Sequence, residues 1–237
     1  MKIALLGYGK MGKIIEKMAL DRGHEISFIA TSDNKDFNAS ELKGADVAIE
    51  FSTPDSAIPN MHRCFMMDVP VVVGTTGWQD KFDKVNNCRL DQKGTLLHAT
   101  NFSVGVNIFY EINRKLAALM SNQKQYNVSV EEIHHTEKLD SPSGTAISIA
   151  EEVIDAFERK TDWVNKESDE PNELSIISKR QPNVPGTHTV TYDSDIDYIE
   201  IKHEAKSRSG FALGAVLAAE FLKDKKGLFT MKDVLQF

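Results

Sequence analysis

Cysteine is nearly absent from this chain: Cys64 and Cys88 are the only two in 237 residues, and they lack metal-ligand spacing. Neither a disulfide framework nor a zinc site has support, and both residues are expected as unpaired thiols. A continuous run of about 18 apolar residues is also missing, so no membrane span is expected. Cations are in deficit, with 28 Lys and Arg against 35 Asp and Glu. The resulting net charge of −7 disfavours nucleic acid as a bulk partner, although one local basic pocket can still hold a small anion. Internal repeats and low-complexity tracts are lacking. The opening MKIALLGYGKMG has an apolar run that ends in glycines rather than in a small-residue cleavage site. A cytoplasmic protein without a signal peptide is therefore expected.

What the chain does contain is 41% hydrophobic and 27% charged residues, ordinary for a folded protein with a real core. Lys2–Leu6 is a short apolar run bounded by Gly7, and Lys10–Leu20 follows with Met11, Ile14, Ile15, Met18 and Ala19 at helical spacing. Ile26–Ala30, Val47–Phe51, Val69–Val73 and Thr95–Ala99 read as further strands, with a helix after Thr53-Pro54-Asp55 and another near Lys81–Leu90. Strands alternating with helices imply an α/β fold, a doubly wound parallel sheet. After Asn101 the pattern changes. Helices are expected at Val106–Met120 and Ala146–Phe157, and strands at Val128–Ile133, Leu174–Ser178, Thr187–Tyr192 and Tyr198–Ala205. Strands without intervening helices suggest an antiparallel or mixed sheet, hence a second α+β domain. Lys160–Asn172 is polar and aperiodic and reads as a long exposed loop. Phe211–Leu222 is a final apolar helix, and Thr230 opens a short helical segment. The expected division is a first domain of residues 1–104 completed by 212–237, and a second of 105–211.

Gly7-Tyr8-Gly9-Lys10-Met11-Gly12 fits G-x-G-x-x-G and sits after a strand and at a helix start, where a Rossmann-type dinucleotide site requires it. Glycine permits the tight turn at Gly7, lets a pyrophosphate approach at Gly9, and lets the helix pack closely at Gly12. The second strand ends Ala30-Thr31-Ser32-Asp33-Asn34-Lys35. Asp33 is late for a ribose-binding carboxylate, and Lys35 or Lys10 suits a phosphate, so NAD and NADP both stay open. Gly74-Thr75-Thr76-Gly77 follows a buried strand at the sheet's carboxyl edge, where it is either a plain turn or a contact for the nicotinamide half.

The stretch HHTEKLDSPSGTA, 134–146, gathers two histidines, a lysine and a helix start. His134 and His135 should point to opposite sides of a continuing strand. Either can donate a proton near neutral pH, and Lys138 is a cation for a carboxylate. Ser141 or Ser143 caps the helix, Pro142 suits its first turn, and the backbone N–H groups near Ser143-Gly144-Thr145 point outward as an anion cradle. The alternative is a well-capped helix beside structural histidines. Of the other cations, Lys179, Arg180, Lys206 and Arg208 are candidates for a local pocket.

These motifs, with Phe51-Ser52-Thr53-Pro54, Asn101-Phe102-Ser103-Val104-Gly105-Val106-Asn107 and the tail Gly227–Leu235, resemble the dihydrodipicolinate (4-hydroxy-tetrahydrodipicolinate) reductase family of bacterial diaminopimelate and lysine synthesis. The resemblance spans essentially the whole chain. It implies a Rossmann domain that binds NADH or NADPH and a second domain that binds substrate and forms a homotetramer through its sheet. It also implies hydride transfer to a cyclic dicarboxylate, with His134 as general acid and Lys138 assisting protonation or holding substrate. His135, Ser143, Gly144 and Thr145 would bind the dicarboxylate. Gly7, Gly9, Lys10, Met11, Gly12, Ser32, Gly74, Thr75, Thr76, Asn101 and Phe102 would bind the cofactor, and no metal is implied. Lys10 departs from the family, many members of which carry glycine there. His188, in Gly186-Thr187-His188, ranks below His134 and His135, because a strand histidine is more often structural. Another NAD(P)-dependent dehydrogenase of amino-acid metabolism, or a dinucleotide sensor without turnover, are the competing readings.

Overall fold

The computed structural model describes residues 1–237. They form two compact units, Met1–Val104 with Arg208–Phe237, and Gly105–Ser207. The first begins with β1 (Lys2–Leu6), α1 (Lys10–Asp21), β2 (Glu25–Ala30), β3 (Val47–Glu50), α2 (Pro54–Met66), β4 (Val71–Val73), α3 (Phe82–Asp91) and β5 (Leu96–His98). The second holds α4 (Val104–Met120), β6 (Asn127–His134), α5 (Gly144–Ala156), β7 (Asp162–Val164), β8 (Glu173–Arg180), β9 (Thr187–Asp193) and β10 (Tyr198–Glu204). The chain then returns to the first unit with α6 (Ser209–Leu222), β11 (Leu228–Phe229) and α7 (Met231–Leu235).

In the first unit the strand order is β11-β5-β4-β3-β1-β2, and every pairing is parallel. Period-two alternation divides its apolar residues between two cores. Ile3, Leu5, Ile49 and Val72 face α1 and α6, whereas Ala4, Leu6, Ala48 and Val71 face α2 and α3. A sheet buried on both faces explains why these strands read as unbroken apolar runs. Each fully buried Ile, Leu or Val contributes about 1.5–3 kcal/mol. Cys64 is fully buried in the second of these cores and Cys88 partly so; both are free, and burial pushes the Cys64 thiol up. The small residues of α6 have a steric cause: a Cβ on Gly214 would lie 1.6 Å from the Phe102 carbonyl oxygen. The strand order reverses between β1 and β3, which places a switch point at their carboxyl ends.

The second unit has a mixed sheet, β10-β9-β6-β8-β7, in which β8 runs parallel to β6 and β7, and the other pairs are antiparallel. Helices α4 and α5 pack on one face over Val128, Val130, Leu174, Ile176, Val190 and Tyr192. The same period-two register places Glu132 and His134 on that covered face.

Two expectations need correction. Lys160–Asn172 is not wholly a loop: β7 lies within it, and the buried Lys160 donates from Nζ to the Glu173 carbonyl at 2.7 Å. The strand leaves no pattern in the sequence because it is short and at a sheet edge, with Trp163 as its main apolar contact. The return to the first unit falls at Arg208 rather than at 212, because α6 starts at Ser209. The strand β11 was not expected at all.

Candidate active site

Three glycines shape the turn between β1 and α1, each for a different reason. Gly7 has φ +105°, and a Cβ there would sit 2.2 Å from the Phe51 carbonyl oxygen. A Cβ on Gly12 would lie 2.3 Å from the Gly7 carbonyl oxygen. At Gly9 a Cβ would meet nothing within 4 Å. That open space lies at the N-terminus of α1, where Gly9 offers no side-chain cap to the first-turn N–H groups. An uncapped positive helix end with a bare backbone in front of it fits a pyrophosphate.

Two adjoining clefts flank Gly9. One, about 520 Å³, is lined by Lys10, Met11, Gly74, Thr75 and Thr76. The other, about 550 Å³, is lined by Gly7, Ser32, Lys35 and Asp55. Both share Phe51 and Ser52, at the carboxyl end of β3. The clefts therefore gather most of the expected cofactor residues at the switch point. Asn101 and Phe102 line neither cleft. The Phe102 ring is core, 5.6 Å from the Phe51 ring, and Asn101 accepts the Ser103 N–H at 2.9 Å. Thr75 also has a bracing role, since its hydroxyl oxygen accepts the Ser52 N–H at 2.7 Å and its carbonyl accepts from Trp78 Nε1 at 2.7 Å. Beneath the clefts Glu50 is fully buried and accepts from the Ser52 hydroxyl. Burial pushes its carboxyl above the usual range, against the opposing hydrogen bonds.

The second unit contains a polar cluster built by strand register. Glu132 pairs across β6 and β9 with His188, and His188 pairs across β9 and β10 with His203. On the other side Glu132 pairs with Ser178, and His134 with Arg180. Glu132 is fully buried, while His134 and His188 are 7% and 4% exposed. His134 Nδ1 lies 3.2 Å from Glu132 Oε2, in ion-pair contact without the alignment of a hydrogen bond. The two rings meet edge to face at 5.1 Å. Ser178 donates to Glu132 at 2.8 Å, and the Ser143 N–H lies 3.1 and 3.2 Å from its two oxygens. Arg180 is 3.6 Å away and also donates to the Asp140 carbonyl at 2.7 Å. Burial works against the Glu132 charge, but His134, Ser143 and Ser178 outweigh it and hold the carboxyl well below its usual range. Burial, reinforced by His134, pushes His188 down to about 3, so its ring is neutral.

Ser143, not Ser141, caps α5: its hydroxyl accepts the Ala146 N–H at 3.1 Å. Ser141 instead accepts from Asn165 at 3.0 Å. Gly144 is exposed, and a Cβ there would meet nothing within 4 Å. His135 is partly buried, and its Nδ1 has no partner. Lys138 Nζ pairs with Asp140 at 2.9 Å, so an incoming carboxylate must compete with that acid. Lys179 pairs with Glu131 on the other face of the sheet. His188 ranked low from sequence, yet it lies 3.3 Å from the Ser143 hydroxyl within the cluster. Glu132 had no sequence signal beyond its place two residues before His134.

Glu132, His134 and His188 bring donor atoms within 4.8 Å of one another, the composition of a cation site. Ser143 and Ser178 already bond the carboxylate, and Arg180 supplies the neighbouring positive charge. His134 Nδ1 and His188 Nδ1 have no hydrogen-bond partner.

A doubly wound parallel sheet with a glycine turn at a helix start, joined to a separate mixed-sheet domain, is an architecture found in nicotinamide-dependent oxidoreductases. The chain belongs to the dihydrodipicolinate reductase family: its N-terminal signature matches residues 1–102 and its C-terminal signature residues 105–235. It is 53% identical over 237 residues to 4-hydroxy-tetrahydrodipicolinate reductase of Christiangramia forsetii, covering 99% of this chain and 98% of that one. It is 34% identical to the same-named protein of Thermosipho africanus, covering 100% and 98%. Among solved structures, a dipicolinate-bound dihydrodipicolinate reductase from Paenisporosarcina sp. TG-14 superposes with a TM-score of 0.75 over 97% of each chain, at 21% identity, which shows the shared fold. Membership makes the chain an oxidoreductase that uses NADH or NADPH.

Proposed function

We propose that the chain reduces a cyclic, dipicolinate-type dicarboxylate to tetrahydrodipicolinate, as a 4-hydroxy-tetrahydrodipicolinate reductase. The observation that carries the substrate assignment is a histidine held against a buried carboxylate, beside an exposed, glycine-started helix N-terminus. When bound, the reduced nicotinamide supplies a hydride to the substrate ring.

The chain's own residues supply the rest. The first-turn N–H groups after Gly9, with Lys10, hold the pyrophosphate, while Ser32 and Lys35 lie on the wall of the larger cleft. In the second unit the N–H groups of Gly144 and Thr145 and the partial positive charge of α5 hold one substrate carboxylate. His135 and Lys138 bind the dianion further. His134 donates the proton that completes reduction, an effect of about 10²–10⁴ in rate for a well-placed general acid. The Glu132 contact on Nδ1 leaves Nε2 as the nitrogen that faces substrate.

The assembly is a homotetramer formed through the second unit's sheet. Helices pack on one face of that sheet, while Glu131, Ile133, Ile177 and Thr189 on the other stay half-exposed, and Ile196, Tyr198 and Ile199 are exposed near the β10 edge. Its place is the cytoplasm, in keeping with two unpaired thiols; no helix is long and apolar enough to cross a membrane.

The test is competition and turnover. Dipicolinate should displace substrate and its monocarboxylic analogue picolinate should not. Replacing His134 with Gln should lower kcat by about a hundredfold or more with NADH binding unchanged. Lys138→Ala should raise KM for the dicarboxylate as well as lowering kcat. Equal competition by both acids, or wild-type turnover in His134→Gln, would overturn the assignment.

A further inference from the structure

Beyond its contact with His134, Glu132 is given no role above, yet it is fully buried and held in its charged form. A buried carboxylate is retained at a cost unless its partners stabilise it. Here the partners fall into two groups. One is the proton donor: His134 Nδ1 lies 3.2 Å from Oε2. The other is the start of α5, where the Ser143 N–H reaches both oxygens at 3.1 and 3.2 Å. Ser143 is the cap from which the proposed carboxylate cradle of Gly144 and Thr145 begins. Ser178 adds a bond at 2.8 Å from the neighbouring strand and fixes the carboxylate from a third side.

We propose that Glu132 is a positioning residue that locks the proton donor and the substrate-holding helix start into one geometry. The link rests on the roles assigned above to His134 and to Ser143–Thr145. Its physical value is relative placement. The proton must arrive at a ring whose carboxylate is held only a few ångströms away, and a misplacement of about 1 Å is enough to cost about a hundredfold in rate. A strand and a helix start joined by one short carboxylate hold that relation more rigidly than the intervening loop does.

The distinguishing mark is that one residue, touching neither substrate nor cofactor, governs two measured quantities together. In Glu132→Gln kcat should fall about a hundredfold and the Kd of dipicolinate should rise about tenfold. The Kd of NADH, set in the other unit, should not change. Glu132→Asp, which keeps the charge on a shorter arm, should recover part of both losses. A purely structural role would lower the melting temperature while leaving kcat per folded enzyme and dipicolinate affinity near wild type, and that result would overturn the proposal. A change in only one of the two quantities would overturn it as well. Should Glu132→Gln fail to fold, Ser178→Ala removes one bond to the carboxylate, along with the hydroxyl's contact to Asn165. It should shift both quantities the same way by about threefold, and no shift would overturn the link. His134→Gln separates the two levels of the argument. Loss of turnover with dipicolinate affinity retained supports the donor role on which the link depends, whereas wild-type turnover overturns the donor role and the link with it.

Discussion

Nδ1 of His134 sits 3.2 Å from the carboxylate of Glu132, two residues earlier on the same strand face. Residues two apart on a strand share a face, so the contact is a direct product of the β6 pleat. It ties the one histidine assigned a proton to the one fully buried acid of its unit.

Gly186 keeps space beside His134, the proposed proton donor. A Cβ there would fall 3.1 Å from His134 Nε2 and 3.3 Å from Cδ2, so the ring would have to move by a few tenths of an ångström. Gly186→Ala should therefore reduce kcat by about tenfold and cost about 1 kcal/mol of stability, as overpacking does. Steady-state kinetics with a urea titration checks both, and NADH affinity should stay unchanged.

Gly9 and Gly12 should separate binding from folding. Gly9→Ala adds a methyl to open space, so its melting temperature should match wild type while NADH binding weakens by about tenfold. Gly12→Ala drives a methyl to 2.3 Å from the Gly7 carbonyl oxygen, and should lower the melting temperature outright. Fluorescence titration beside a thermal melt distinguishes the two.

The neutral His188 makes the second unit sensitive to acid. Its folded pKa of about 3 lies below the ordinary value of about 6.5, so the unfolded chain binds the proton first as pH falls. The stability this group contributes is fully present above about pH 6.5 and is lost from there toward about pH 3. The slope from this one residue is at most about 1.4 kcal/mol per pH unit. His188→Gln should flatten the fall of the urea midpoint between about pH 6.5 and about pH 5, compared with wild type.

Local pattern makes much of this molecule legible in its sequence. Gly7, Gly9 and Gly12 announce a strand-to-helix turn because each glycine answers a steric demand a few residues away, and His134, Lys138 and Ser143 stand together in one short stretch. Glu132 and His188 were not legible in that way. Ser143 is eleven residues from Glu132 and Ser178 forty-six. His188 reaches Glu132 only through the antiparallel register of β9 on β6. Sequence alone does not supply that register, since several polar strands compete for the same neighbours. Phe102 shows a different limit: the motif marks the residue, but not that its ring packs in the core against Phe51. The strand at Asp162–Val164 was hidden for a third reason, because a three-residue edge strand buries too little to leave a period.

The most direct measurement is oxidation of NADH and, separately, NADPH, followed by nicotinamide absorbance with substrate made in place by condensing pyruvate with aspartate semialdehyde. Oxidation that requires the condensation, and that is lost in His134→Gln, is the predicted result. Binding of either cofactor with no oxidation under those conditions would contradict the reductase and leave another NAD(P)-dependent dehydrogenase, and then a dinucleotide sensor, in its place.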